Sequence, residues 1–283
     1  MKKVAVVILN YKSKDEALEC IHSVKASDYS SIEIIVVDNN SQDGLEEDLR
    51  GDNEVEFIQT GDNLGYTGGN NLGIEKALKD GADYIFVLNA DTVIDNSAIS
   101  NLVLVSEKEG AGIVGPKILF GDRKTIWYAG GIFDKANVLG SHRGVDELDE
   151  GQYDEIEETE YVSGGAMFVK KEVFKRIGLF DDKYFLYYED SDFSFRAKKA
   201  NFKLVFAPTA VVYHENAKST GLGSPLQDYF ITRNRMLFAS KFLSFRTRFA
   251  LFREALRNIS NSARRLALVD FLVGNLGKGS YIK

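Results

Sequence analysis

"KVAVVILN", residues 3–10, carries six apolar residues in succession with no polar residue among them. A strand with one face in water alternates; a short unbroken β-branched run belongs in a sheet covered on both faces, as parallel sheets are. "IEIIVVDN" (32–39), "VEFIQT" (55–60) and "YIFVLNAD" (84–91) repeat the pattern. Helical periodicity lies between them. Residues 15–26 set Ala17, Leu18, Ile21, Val24 and Lys25 around one face, 70–80 set Leu72, Ile74, Ala77 and Leu78, and 97–109 set Ile99, Leu102, Val103 and Val105. Strand and helix in alternation over the first hundred residues predict a doubly wound α/β fold, a mostly parallel sheet flanked by helices.

Ligands of such sheets bind at the carboxyl ends of the strands. Three of the four apolar runs end in polar residues: Asn10-Tyr11, Asp38-Asn39-Asn40 and Asn89-Ala90-Asp91. Asp and Asn are also ordinary turn and cap residues, so each alone reads either way. Gathered at one sheet edge they point to a ligand. Asp91 at a strand end suits a hard cation such as Mg²⁺ or Mn²⁺, which takes one or two carboxylates together with phosphate oxygens. His214 closes the run "AVVYH" and reads either as a structural histidine or as a second ligand of that cation. "STGLGSP" (219–225) has the composition of a loop that closes over a ligand.

The chain has 283 residues, 44% of them hydrophobic, and a net charge of −7, which argues against nucleic acid as a partner. Its one cysteine, Cys20, excludes an internal disulfide and suits a reducing compartment. The first apolar run is too short for a secretion signal and none approaches the roughly 18 residues of a membrane span, so a cytoplasmic chain is expected. No G-x-x-x-x-G-K-[ST], no G-x-G-x-x-G after the first strand, no H-E-x-x-H and no C-x-x-C occurs. Charge is segregated: residues 146–160 hold nine acids and no base, whereas 233–265 hold nine bases and one acid. Residues 117–162 read as a surface excursion with a mobile loop, 161–178 as a Gly-Gly turn, strand and helix. "KLVFAP" (203–208) and "AVVYHE" (210–215) read as two further strands. Residues 241–275 interleave Phe and Leu with Arg at helical spacing. Such a helix either lies on an anionic membrane surface or packs against the domain or a second copy in a homodimer.

"YYEDSDFSFR" (187–196) puts Glu189, Asp190 and Asp192 within four positions, flanked by aromatic rings. One reading is a helix over 191–200, capped by Asp190 or Ser191, with the acids at its positive end. The other is a carboxylate whose pKa an aromatic pocket raises, poised as a general base.

"VVILNYKSKDEALECIHSV", "IIVVDNNSQDG", "NLGYTGGNNLGI", "VLNAD", "SGGAMFVKKEVFKRIGLFDDKYFLYYEDSDFSFRAKKANFKL" and "YHENAKSTG" follow one another in an order and spacing that resembles glycosyltransferase family 2. The nearest subgroup is the rhamnosyltransferase-like enzymes of surface polysaccharides, over about residues 3–240. The resemblance implies a GT-A fold: a nucleotide-sugar-binding half (1–115), an acceptor and catalytic half (116–240), and then the basic C-terminal helices (241–283). It implies inverting, Mg²⁺- or Mn²⁺-assisted transfer from a dTDP-, UDP- or GDP-linked sugar to a saccharide or lipid-linked acceptor, on the inner face of the cell membrane. By position, Asn10, Tyr11, Asp38, Asn63, Gly69, Asn70, Asn89 and Arg233 would serve the nucleotide-sugar, and Asp91 and His214 the metal. Gly164, Gly165 and Asp192 would face the acceptor, with Asp190 the base and Glu189 beside it. Asn89 departs from the family's D-x-D. A nucleotidyltransferase is the competing enzyme, but it would carry a Gly-rich basic loop where this chain reads "NYKSKDE". A non-catalytic nucleotide-sugar binder is the other competitor.

Overall fold

The computed structural model describes residues 1–214 and 223–282. Its strands are β1 (Val4–Asn10), β2 (Ile32–Asp38), β3 (Val55–Gln59), β4 (Tyr84–Asn89), β5 (Thr92–Ile94), β6 (Ile113–Phe120), β7 (Ile126–Tyr128), β8 (Gly131–Asp134), β9 (Leu139–His142), β10 (Glu157–Glu158), β11 (Ala166–Lys170) and β12 (Leu204–His214). Its helices are α1 (Lys14–Lys25), α2 (Leu45–Asp48), α3 (Gly65–Lys79), α4 (Ala98–Glu109), α5 (Lys171–Ile177), α6 (Glu189–Lys199), α7 (Pro225–Phe242), α8 (Phe245–Arg257) and α9 (Ser262–Val273). One sheet runs in the order β10-β12-β6-β11-β4-β1-β2-β3, with β5 paired to β12 and β7 to β6. β3, β2, β1 and β4 are parallel, and their register places Asn10 beside Asp38 and Leu9 beside Asn89. β11 inserts antiparallel between β4 and β6.

Val4 to Ile8, Ile35 to Val37 and Ile85 to Val87 are fully buried, which is why their sequence lacks alternation: helices cover both faces. α3 comes unusually near the sheet because it offers glycine there. A Cβ on Gly69 would sit 2.4 Å from Leu9, and one on Gly73 2.4 Å from Val7.

Several expectations are corrected. The region 117–162 is not a surface excursion: β7 and β10 join the main sheet, and Ile126, Tyr128 and Ala129 lie in the core. Its acidic segment is pinned by the buried Lys117, whose ammonium contacts Asp149 at 2.9 Å and Asp154 at 2.7 Å. The two strands expected at 203–208 and 210–215 are one strand, β12, interrupted by a bulge between Ala207 and Val211. α6 begins at Glu189 rather than 191, with Tyr188 in the capping position at φ 72°. α7 runs across the boundary expected at 240/241, and α8 and α9 pack on it through Leu251, Ala255, Ala263, Ala267 and Leu268. The loop expected at 219–225 lies largely outside the described residues. Among those, no helix is long and apolar enough to cross a membrane.

Candidate active site

The strand ends open into a crevice of about 480 Å³ lined by Tyr11, Asn39, Asn63, Asn89 and Asp91 on the sheet side, with Phe185 and Leu226 from the C-terminal half. Asn10 lies fully buried just beneath. Its amide donates to Asp38 at 2.8 Å, to Ser41 and to Asp43, and its oxygen accepts from Ser13 N. Asp38 also accepts from Ser41 N (2.9 Å) and Gln59 Nε2 (3.0 Å), so its carboxylate is held by three donors beside a neighbouring hollow. Asn63 accepts from Asn39 and from Gly65 N, fixing the entry to α3. Asn39 bonds Gly65 O and Leu64 N in turn.

Asp91 and His214 meet at the end of β4. Antiparallel pairing sets His214 opposite Thr92, and His214 Nε2 stands 3.4 Å from Asp91 Oδ1, both side chains buried. Burial lowers the His214 pKa, opposed by the Asp91 charge, so the ring is neutral near pH 7 and its nitrogen can coordinate. The other ring nitrogen, Nδ1, is buried with no hydrogen-bond partner. A carboxylate oxygen beside a neutral imidazole is a donor set that fits a divalent cation. No group of three His, Cys, Asp or Glu gathers among the described residues, so the remaining positions would fall to phosphate oxygens and water, as hard cations accept.

The ring of His214 lies flat on Trp127, with centroids 4.8 Å apart and planes 3° from parallel, and His142 meets the same indole edge-on at 4.2 Å. His142 is pushed down to about 4 by burial, and its Nδ1–H donates to Trp127 O at 3.0 Å. Sequence reasoning missed Trp127, placing "TIWYAGG" on the surface. The lone tryptophan three residues before a Gly pair was the available signal.

The second carboxylate centre sits at the start of α6. Gly165 O accepts from Asn89 N at 3.0 Å, and Gly164 N donates to Asp190 Oδ2 at 3.2 Å, so the Gly-Gly turn joins the end of β4 to Asp190. Tyr66, another crevice residue not foreseen, donates to Gly164 O at 2.6 Å. Asp190 Oδ1 accepts from Ser191 N at 2.6 Å. Burial raises the Asp190 pKa against these hydrogen bonds. Glu189 is raised well above its ordinary value, first by burial and then by the Asp190 charge, and its Oε2 has no hydrogen-bond partner. Tyr66 is raised too, by burial and then by both carboxylates, and stays a donor.

Glu189→Gln is therefore expected to stabilise the fold at pH 8 by about 1–2 kcal/mol, because the unfolded chain ionises Glu189 there while burial opposes its ionisation in the folded one. A carboxyl whose folded pKa is raised retains its stability below the unfolded pKa and loses it as pH rises through the folded one. The variant's gain in thermal midpoint should thus vanish towards pH 4. Calorimetry at pH 4 and pH 8 giving the same difference would refute this.

The segment leading to α6, "YFLYY" (184–188), is strained and clamped. Phe185, Tyr187 and Tyr188 have φ of 66°, 68° and 72°, where side chains are disfavoured. Asn234 Nδ2, from α7, donates to Tyr184 O (2.9 Å), Leu186 O (2.7 Å) and Tyr187 O (2.9 Å). Arg233 donates to Tyr184 O at 3.0 Å and faces the rings of Tyr229 and Phe230.

Four expected site residues thus lie elsewhere than expected. Arg233 is fully buried and holds backbone carbonyls instead of a diphosphate. Gly69 packs against Leu9 of β1 and beside Asn39. Asn70 is buried, donating to Tyr66 O at 2.9 Å. Asp192 is fully buried, accepts from Tyr184 OH (3.1 Å) and Arg196 Nε (2.6 Å), and is paired to Lys241, so no face of it is left for an acceptor.

The family model described as Glycosyl transferase family 2 matches residues 5–178. The low-salt glycan biosynthesis hexosyltransferase Agl10 of Haloferax volcanii is 26% identical over 247 residues, covering 85% of this chain and 76% of that one. The dTDP-rhamnosyl transferase RfbF of Shigella flexneri is 30% identical over 216 residues, 74% of this chain and 71% of that one. The crystal structure of GalNAc-T7 with UDP, GalNAc and Mn²⁺ superposes with a TM-score of 0.64 at 18% identity, over 92% of this chain and 57% of that one, a likeness of fold.

Proposed function

The chain belongs to glycosyltransferase family 2, and from that premise we propose that it moves a hexosyl or deoxyhexosyl group from a nucleotide-diphosphate sugar to an acceptor hydroxyl, with inversion. The observation that carries this reading is the Gly164–Gly165 turn, which ties the Asp190 carboxylate to the strand end bearing Asp91 and His214.

Tyr11, Asn39 and Asn63 line the end of the crevice suited to the nucleoside, with Asp38 held for a base N–H by its three donors. Asp91 and His214 would hold a divalent cation next to the diphosphate; such an ion supplies charge against the departing phosphate oxygens. Asp190 takes the proton of the acceptor hydroxyl as that oxygen bonds to the anomeric carbon and the bond to the diphosphate oxygen breaks. Its raised pKa strengthens it as a base. Glu189, protonated by burial, leaves Asp190 the single negative charge of the pair. Tyr66 and Gly164 fix where that carboxylate points. The oxocarbenium-like transition state is approached from the face opposite the leaving group, which inverts configuration.

A deoxyhexose such as rhamnose is the donor sugar favoured by the similarity to RfbF, and a growing glycan the acceptor favoured by the similarity to Agl10. Transfer assays with dTDP-, UDP- and GDP-sugars, with Mn²⁺ or Mg²⁺, test the reading. Turnover of one of them with inverted product supports it; no binding or turnover of any, or a retained configuration, refutes it.

Attachment to an anionic membrane belongs to the same proposal, since lipid-linked acceptors reside there. α8 and α9 leave Phe245 (78% exposed), Phe249 (52%) and Leu272 (60%) uncovered, beside exposed Arg246, Arg253 and Arg257. Such a face inserts rings and neutralises headgroups. Wild-type protein is expected to float with vesicles containing phosphatidylserine, and Phe245→Glu/Phe249→Glu to remain in the dense fraction. Equal flotation of both would remove the attachment. These substitutions leave the buried Leu251 and Ala255 face intact, which truncation at 241 would not.

A further inference from the structure

Beyond α9 the chain turns back on the domain, and each step is fixed. Gly274 ends the helix at φ 74°. Gly277 N donates to Lys183 O at 2.8 Å, immediately ahead of the strained segment that leads to Asp190. Lys278 Nζ reaches Asp62 at 3.4 Å, next to Asn63. Gly279 crosses Tyr229 and Arg233 so closely that a Cβ would lie 2.0 Å from the tyrosine hydroxyl. Ser280 donates through N and Oγ to Asp270 at 2.8 and 2.9 Å, and the Tyr281 ring stacks on Tyr229 at 5.2 Å. Ile282 then enters the crevice wall with Phe185, Leu186 and Leu226.

This path joins three things that are far apart in sequence: the loop bearing Asp62 and Asn63, the segment before α6, and the start of α7. Packing α9 alone does not demand it, because α9 is already seated on α7 through Ala263 and Ala267. The crevice would otherwise lack an apolar surface on this side beyond Phe185, Leu186 and Leu226. We propose that residues 277–282 form a working wall of the donor crevice and that Ile282 touches the bound nucleotide-diphosphate sugar. The proposal rests on reading this crevice as the donor site. The wall excludes water from one side of the donor, and Lys278 with Asp62 closes its rim.

Ile282→Ala is expected to weaken donor binding roughly fivefold by calorimetric titration, the scale of a partly buried side chain lost from an apolar contact. KM for the donor should rise in step while kcat and the thermal midpoint stay near wild type. Lys278→Glu, which alters only an exposed pair, is expected to weaken binding less, and Lys278→Glu/Asp62→Lys to restore it. Donor affinity unchanged in Ile282→Ala and Lys278→Glu would overturn the proposal, as would tighter binding or faster turnover, the mark of a plug rather than a wall. Wild-type protein that binds no nucleotide-sugar would instead bring down the donor-site reading itself.

Discussion

Asp190→Asn is expected to lower transfer by about 10²–10⁴-fold, the range that a positioned general base contributes, while the affinity for nucleotide changes little. The amide matches the carboxylate in shape, so Gly164 and Tyr66 keep their places. What goes is the ability to take a proton. Asparagine cannot accept from both Gly164 N and Ser191 N as the carboxylate does, so a loss of about 1 kcal/mol in stability accompanies the change. Burial raises the pKa of Asp190, so the acid limb of the wild-type pH–rate profile should fall above the ordinary aspartate range. Activity should grow as pH rises through it. Single-turnover transfer at wild-type rate in the variant would end the assignment of Asp190 as base.

Two residues along the same helix, Asp192→Ala should do nearly the reverse. Asp192 is fully buried against Arg196, Lys241 and Tyr184. Removing one member of a buried charge cluster costs about 3–5 kcal/mol, here reduced by the carbonyls of Ile177 and Leu179 that still bind Arg196 and by Asp181 beside Lys241. A fall of roughly 6–12 °C in the thermal midpoint is expected for a chain of this size. Transfer measured well below that midpoint should remain. A variant as stable as wild type would show that the cluster contributes nothing net. The pair of variants separates two carboxylates that sequence alone presents as equivalent.

The parallel half of the sheet was legible because burial on two faces writes itself into residues 3–10, 32–38 and 84–89 as unbroken β-branched runs. The strand ends were legible with it, since a parallel topology assigns Asn10, Asp38 and Asp91 to one edge. Short antiparallel pieces were harder. β7 has three residues, and its core role depends on pairing with β6 and on the contact of Tyr128 with Phe206 of β12, which no local pattern records. Charge misled in both directions: nine acids in one segment suggested mobility, but the buried Lys117 holds two of them, Asp149 and Asp154, and Arg143 holds Glu157. Arg233 was expected beside the nucleotide-sugar because its position matches a motif that lies near the donor in the family it resembles. Its burial follows from the carbonyls that the 183–188 backbone turns towards it, and that turn is invisible in a string of aromatic residues. Asp192 shows the same limit, because Lys241 lies 49 positions away.

Asn234 makes the shape of the segment that leads to Asp190 a property of two stretches some fifty residues apart. Left-handed aromatic residues at 185, 187 and 188 are each disfavoured by about 1–3 kcal/mol, and the carbonyls among them are gathered by one amide side chain. The 183–188 segment and α7 therefore keep their shape only as a pair. A chimera that imports a foreign 183–190 to change acceptor preference, but keeps a resident helix without a matching amide, would inherit the letters of the loop and lose its shape. Exchange of the loop together with 225–242 is the smallest graft that carries both.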